Sequence, residues 1–354
     1  MSAANQLNLT LSATLGAFGF AFILCAVTLF LSLRLPKQRL IWDTPDRPNA
    51  MHTKPTPRIG GIAIATAVAG VVITPWYGGS LTTIMLIALG LLLVSFFDDR
   101  WQLSPALRFF VHVAAAALVM LLWMRGHIFS FPSRGAWSGQ LNPIVKAVAV
   151  IGITWMTNLY NFMDGADGIA GGMSLFGFGS YMLVAMGAPI MQGGTDIALI
   201  SAAIAGAAAG FLMFNFSPAK VFMGDAGSIP LGFLAAALGI YGVLIEMWAW
   251  WFPFAVFSPF IVDATATLLK RVYHRKKIWY SHREHYYQRL ILSGWSHRRT
   301  AATYYLVMFG VSASAIAALE NSGETAFIRS VILLAWVVIY TLLVYGLERR
   351  FRKQ

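Results

Sequence analysis

With 58% hydrophobic and only 11% charged residues in 354, this chain is too apolar for a soluble globule and reads as an integral membrane protein. Its net charge of +12 does not signal nucleic acid, because 22 of the 26 Lys and Arg residues fall in segments on one predicted side of a membrane. The single cysteine, Cys25, excludes an intrachain disulfide framework.

Apolar runs near the ~20 residues that cross a bilayer recur about eleven times, at 12–33, 60–76, 80–97, 105–124, 143–160, 168–188, 196–214, 228–245, 248–270, 302–319 and 327–347. A lipid-exposed backbone must satisfy its own hydrogen bonds, so the predicted fold is all-α, one polytopic transmembrane domain over 1–354. The basic segments 34–58, 100–108, Lys220, 270–299 and 349–353 are assigned to the cytoplasm. The predicted outer loops around Trp76 to Ser80, Gly187 to Asp196, Glu246 and Glu320 to Glu324 carry neither Lys nor Arg. This puts the N-terminus outside and the C-terminus in the cytoplasm. No cation precedes Thr14 and no small-residue cleavage site follows the first run, which is therefore read as an uncleaved span.

The chemistry collects in loops near 34–59, 98–105, 158–168, 215–228 and 271–300. The first holds His52, Lys54, Arg58 and the pair Gly60-Gly61. Its prolines stiffen it and its glycines allow close backbone approach, which suits cations that meet a phosphate, although an ordinary positive-inside loop reads the same way. The third run ends in Asp98, Asp99 and Arg100. Adjacent acids repel, so they need a neighbouring cation or a metal, or one of them has a raised pKa and can act as a base.

The fifth run ends in Asn158, Asn161 and Asp164, spaced to share one helix face, with Asp167 beyond two glycines. After the seventh run come Phe222, Gly224, Asp225, Gly227 and Ser228. This loop can offer a carboxylate to a hard cation and backbone amides to a phosphate, or it is a simple turn with a Ser cap. Asp263 sits deep in the ninth run and is read as a structural partner of Lys270 or Arg271. The largest loop then brings His282, Arg283 and His285, three candidate phosphate or nucleotide contacts; a headgroup-binding amphipathic helix is the alternative.

Five of the nine aspartates, Asp98, Asp99, Asp164, Asp167 and Asp225, thus fall at predicted cytoplasmic ends of spans. Ringed by Lys54, Arg58, Arg283 and His285, they form an acidic centre suited to Mg²⁺ and a diphosphate, with lipid alongside. The chemistry suggested is phosphoryl transfer between a soluble nucleotide compound and a membrane lipid.

These residues resemble the polyprenyl-phosphate N-acetylhexosamine-1-phosphate transferases over most of the chain. The motifs stand in family order: His-Thr-Lys-Pro-x-Pro-Arg-x-Gly-Gly at 52–61, Asp-Asp at 98–99, Asn-x-x-Asp-Gly-x-Asp-Gly at 161–168, Phe-Met-Gly-Asp-x-Gly-Ser at 222–228 and Pro-x-x-x-Asp-x-Thr at 259–265. The resemblance implies transfer of a sugar 1-phosphate from a UDP-linked N-acetylated amino sugar to undecaprenyl phosphate, releasing UMP. It implies Mg²⁺, with Mn²⁺ as a substitute, on Asp225 and Asn161, and a ring, Phe222, near the uracil. Asp164 and Asp167 match acids of the nucleotide and catalytic pocket, with Asn158, Arg58, His282, Arg283 and His285 as further substrate contacts. Asp98 and Asp99 match the pair at the lipid phosphate, and whether Asp98 takes a proton or only positions the acceptor is left open. A phosphate monoester has its second pKa near ~6, so charge neutralisation by Mg²⁺, Lys54 and Arg283 is expected to outweigh base catalysis.

Where many members carry a His-x-His-His cluster, this chain reads His285, Tyr286, Tyr287, Gln288. That form resembles the branch that starts O-antigen chains, whose donors include UDP-N-acetylfucosamine and UDP-N-acetylquinovosamine, rather than users of UDP-N-acetylglucosamine. The implied setting is the bacterial inner membrane with the site facing the cytoplasm, and a homodimer is left open. A secondary transporter would also place acids in membrane helices, but near the midplane. A lipid phosphotransferase of the CDP-alcohol type shares part of the 164–168 motif and lacks the later Asp pair.

Overall fold

The computed structural model describes residues 3–36, 40–45, 51–75, 77–79, 81–101, 103–124, 143–187, 194–277, 280, 282–320 and 325–351. They form thirteen helices and two very short strands. The helices are α1 (Ala3–Ser32), α2 (Gly60–Val72), α3 (Thr82–Trp101), α4 (Pro105–Met124), α5 (Pro143–Phe162), α6 (Ile169–Gly187) and α7 (Gly194–Asn215). There follow α8 (Asp225–Leu244), α9 (Trp251–Val256), α10 (Ser258–Tyr273), α11 (Tyr286–Leu292), α12 (His297–Glu320) and α13 (Thr325–Phe351). Strands β1 (Trp42–Asp43) and β2 (Thr56–Pro57) pair antiparallel, Trp42 opposite Pro57 and Asp43 opposite Thr56.

The protein is an all-α, multi-pass membrane protein. Among the described residues eight helices are long and apolar enough to span: α1, α4, α5, α6, α7, α8, α12 and α13. The predicted apolar runs, about eleven in number, take unequal forms. The run 60–76 forms only the 13-residue α2, and α3 keeps a shorter apolar stretch, Thr82–Asp98. The run 248–270 is split at Phe257 into α9 and α10. Pro259 explains the split, since its ring collides with the preceding turn and it has no N–H to continue a ladder.

Burial orders the bundle. Helices α7 and α8 bury most of their length, α6 somewhat less, and the α13 span buries none of it. The sequence of α7 explains its central place: its Ala and Gly residues let neighbours approach to backbone distance. A Cβ at Gly206 would stand 2.2 Å from the Phe18 carbonyl oxygen of α1, and one at Gly210 2.5 Å from that of Phe22. The expected close approach at Gly60-Gly61 is also found. A Cβ on Gly61 would meet the Gly227 nitrogen at 2.3 Å, so α2 and α8 begin in direct backbone contact. The Gly60 and Gly61 amides donate to the Phe222 and Met223 carbonyls, both at 2.9 Å. The first loop and the 222–228 loop are thereby zipped together.

Candidate active site

One end of the bundle collects the C-terminal ends of α3, α5 and α7 and the N-terminal ends of α4, α8, α11 and α12. Of the latter, α4, α8 and α12 bring the positive ends of their helix dipoles, a setting that favours anions. A cavity of about 1030 Å³ opens there. Its lining includes the polar Asp43, Arg58, Arg108, Asn158, Asn161, Asp164, Asp167 and Asp225 and the apolar Phe109, Val113, Val150, Ile151, Trp155 and Ile229. Five of the seven histidines also line it: His52, His112, His282, His285 and His297.

The acidic centre is built across three elements. Asn161, in the last turn of α5, donates from Nδ2 to Asp225 Oδ1 at 2.9 Å and to Ser228 Oγ at 3.0 Å. Asp225 opens α8 because Gly224, at φ 73°, makes the left-handed turn before it. Asp164 follows α5. Burial pushes its carboxyl well above the usual range, the Asp225 carboxylate pushes it further, and Arg58 partly offsets both. Two carboxylates beside an amide oxygen are a hard-oxygen donor set that fits a divalent cation. Such an ion needs only one or two protein carboxylates when substrate phosphates and water complete its shell. Among the described residues no three acidic, His or Cys side chains form a closed metal cage.

Asp98 stands one side chain back. It is buried and does not line the cavity; its oxygens accept from the Leu103 amide at 2.7 Å and from Arg108 at 3.2 Å. Arg108 in turn lies 3.8 Å from Asp225, so this guanidinium links the α3 acid to the α8 acid. The Asp99 side chain lies outside the described residues.

Asp167 lines the cavity but is braced from several sides. It accepts from the Ala219 amide at 3.1 Å and lies 3.4 Å from His297 Nδ1. Burial alone would raise its carboxyl, yet the bonds from His297, Ala219 and Ser217 outweigh burial and hold it below the usual range. Asn215 ties the same corner, accepting from the Gly168 amide and donating to the Val221 carbonyl.

The expected cations are partly replaced. Lys54 is exposed and does not line the cavity, and neither does Arg283. The lining guanidiniums are Arg58, held 2.8 Å from Asp43, and Arg108. Phe222 lines the cavity as expected, with His52 edge-on at 4.8 Å. His282 lines it too, but burial, His285 and Arg271 push its pKa down to about 4, so at neutral pH it is an uncharged contact.

Asp263 pairs with neither Lys270 nor Arg271. Lys270 goes to Glu348 and Arg271 to Glu284. Asp263 instead accepts the Tyr286 and Tyr287 amides, at 2.9 and 3.1 Å, and the Tyr304 hydroxyl, with His285 Nδ1 at 3.4 Å. A buried carboxylate needs donors as much as a countercharge, and the N-terminus of α11 supplies them. So held, α11 sets His285, Tyr287 and Gln288 into the cavity wall.

Arg108 and His112 were not singled out from the sequence. They share a face of α4 at i, i+4 spacing, and His112 Nδ1 meets Asn158 Oδ1 at 3.1 Å. The available signal was two polar residues four apart inside an otherwise apolar helix.

Residues 81–243 match the model of glycosyl transferase family 4. The chain is 30% identical over 304 residues to a probable undecaprenyl-phosphate N-acetylglucosaminyl 1-phosphate transferase of Bacillus subtilis, covering 84% of this chain and 83% of the relative. It is 27% identical to a decaprenyl-phosphate N-acetylglucosaminephosphotransferase of Mycolicibacterium smegmatis, covering 83% and 79%. A phospho-N-acetylmuramoyl-pentapeptide-transferase of Geobacillus kaustophilus is 28% identical, covering 71% and 80%.

Proposed function

Because this chain belongs to glycosyl transferase family 4, as a polyprenyl-phosphate sugar-1-phosphate transferase, we propose that its donor is a UDP-linked N-acetylated amino sugar and its acceptor undecaprenyl phosphate. The products are UMP and an undecaprenyl-diphosphate sugar that starts a cell-surface polysaccharide, O-antigen by the form of the 282–288 segment. The reaction takes place at the cytoplasmic face of the bacterial inner membrane.

One observation carries the reading: a single cavity is lined both by carboxylates and guanidiniums and by a set of apolar side chains. A lipid phosphate and a soluble diphosphate can meet only where both surfaces are offered together. An oxygen of the acceptor phosphate attacks the donor's sugar-linked phosphorus; that P–O bond forms as the bond to the UMP oxygen breaks. The acceptor is largely ionised at neutral pH, so no strong base is required. Arg58 and Arg108 orient the phosphates and offset charge that builds on their oxygens, and Asp98 holds Arg108 in place. Asp225, Asp164 and Asn161 would hold Mg²⁺, or Mn²⁺ in its place. When bound, that ion neutralises the diphosphate and stabilises the leaving phosphate. Phe222 offers a ring to the base, and His285, Tyr287 and Gln288 face the donor as groups suited to a neutral N-acetylated sugar.

The test is UMP release by purified protein with undecaprenyl phosphate, a panel of UDP-amino sugars, and Mg²⁺ or EDTA. Release that needs both lipid and metal supports the reading. Absence of release with every donor rejects it.

A further inference from the structure

The outer face of α11 is gripped by a residue far along the chain. Glu348, near the end of α13, accepts from Lys270 Nζ at 2.5 Å, from the Tyr286 hydroxyl at 3.0 Å and from Arg289 Nη1 at 2.7 Å. Tyr286 and Arg289 are three apart on α11, so they share a face; their neighbours Tyr287 and Gln288 line the cavity. Helix α11 has seven residues, too few to be stable alone. Two carboxylates therefore hold it, Asp263 at its N-terminus and Glu348 on its outer face. Lys270 belongs to α10, which also carries Asp263, so the Glu348 carboxylate closes a link among α10, α11 and α13.

What else α13 does makes the grip informative. Its span buries none of its residues; Trp336 donates to Ser314, Tyr340 meets Ser258, and the Phe351 ring lies 4.1 Å from the Arg289 guanidinium. The first two leave α11 alone, and the third adds a ring to the grip of Glu348 on Arg289. A helix that adds so little to the core has no packing need for a carboxylate bearing three donors.

We propose that Glu348 is a positioning residue for the donor side of the cavity, acting through Tyr286 and Arg289 to fix how α11 presents His285, Tyr287 and Gln288. The assignment of that wall to the donor rests on the function proposed above. The carboxylate touches no substrate, so its loss affects how well the donor is held and leaves acceptor handling alone.

The experiment uses the full-length protein in nanodiscs, with Glu348→Gln, Glu348→Asp and Arg289→Gln beside wild type. The expected result is a rise of about five- to tenfold in donor KM for Glu348→Gln and Arg289→Gln, the order of one charge-assisted hydrogen bond. The acceptor KM stays within twofold, and Glu348→Asp recovers part of the donor effect. A purely structural role would reduce the active fraction and leave both KM values in place, which would overturn the proposal, as would an equal rise in both. Hydrogen exchange separates this from the fate of the donor assignment, because it needs no substrate. Amides of 286–292 should exchange faster in Glu348→Gln while those of 159–163 do not change. Unchanged exchange at 286–292 would overturn the proposal whatever the kinetics, whereas faster exchange without UMP release from wild type would retain the brace and reject the reaction.

Discussion

Replacing Arg108 tests the centre of the reasoning, because this one guanidinium faces both the acid behind the cavity and the acid inside it. At 3.2 Å from Asp98, a unit-charge pair is worth ~5 kcal/mol at an effective dielectric of about 20. The Arg108 side chain is 36% exposed, so screening reduces this, and about 2 kcal/mol of stability is the expected loss in Arg108→Gln. Asp98 keeps its bond from the Leu103 amide, so the protein still folds. The loss in turnover should be larger: removing a preorganised donor from developing phosphate charge costs about 10²- to 10³-fold in kcat, or roughly 3–4 kcal/mol. Arg108→Lys keeps the charge without the fork and should lose about tenfold. The two effects separate in Arg108→Gln with Asp98→Asn, which removes the stranded buried acid. Thermal stability should return in that double variant while turnover does not. The assay is initial-rate UMP release with denaturation followed in the same preparation. Turnover within threefold of wild type in Arg108→Gln, or turnover restored by Asp98→Asn, would refute the argument.

Asp225→Ala should abolish UMP release while the protein inserts and elutes normally, as read by activity and size exclusion in detergent; full activity would remove the metal assignment. Lys54→Ala should change kcat/KM by less than about threefold and Arg58→Ala by more than about thirtyfold, because only Arg58 lines the cavity; the reverse ranking in parallel assays would count against the geometry. His285→Ala should weaken donor use more than acceptor use in paired KM measurements. His282 also predicts a pH effect. Its folded pKa of about 4 lies below the ordinary 6.5, so between these values the unfolded chain binds the extra proton. Its contribution to stability is therefore present above pH 6.5 and is lost as pH falls toward 4. Thermal denaturation from pH 7 to pH 5 should fall less in His282→Gln than in wild type, and equal slopes would exclude this.

Much of the molecule was legible because bilayers punish polar groups. Asp98, Asp164, Asp167 and Asp225 stand at the ends of apolar runs, where unpaired charge is costly, and the placing of the basic segments puts those ends on one side. Cations are different. Lys54, Arg58, Arg108 and Arg283 all sit in basic segments that topology by itself accounts for, and nothing in their order tells a lining guanidinium from an exposed ammonium. The partner of Asp263 is hidden from the sequence for a related reason. Nearby Lys270 and Arg271 suggest a countercharge, whereas the donors include two backbone amides and a tyrosine hydroxyl more than twenty residues away.

The residues alone determined an all-helical membrane protein, the acids of its centre and the chemistry they suit, since hydropathy and motif order are properties of a linear chain. Tertiary structure decided which cations reach the cavity, that Asp98 is paired with Arg108, and that α11 is held from behind by α13. Spans that are apolar on nearly every side carry no record of which face meets which neighbour, and only the packing of one helix against another supplies it.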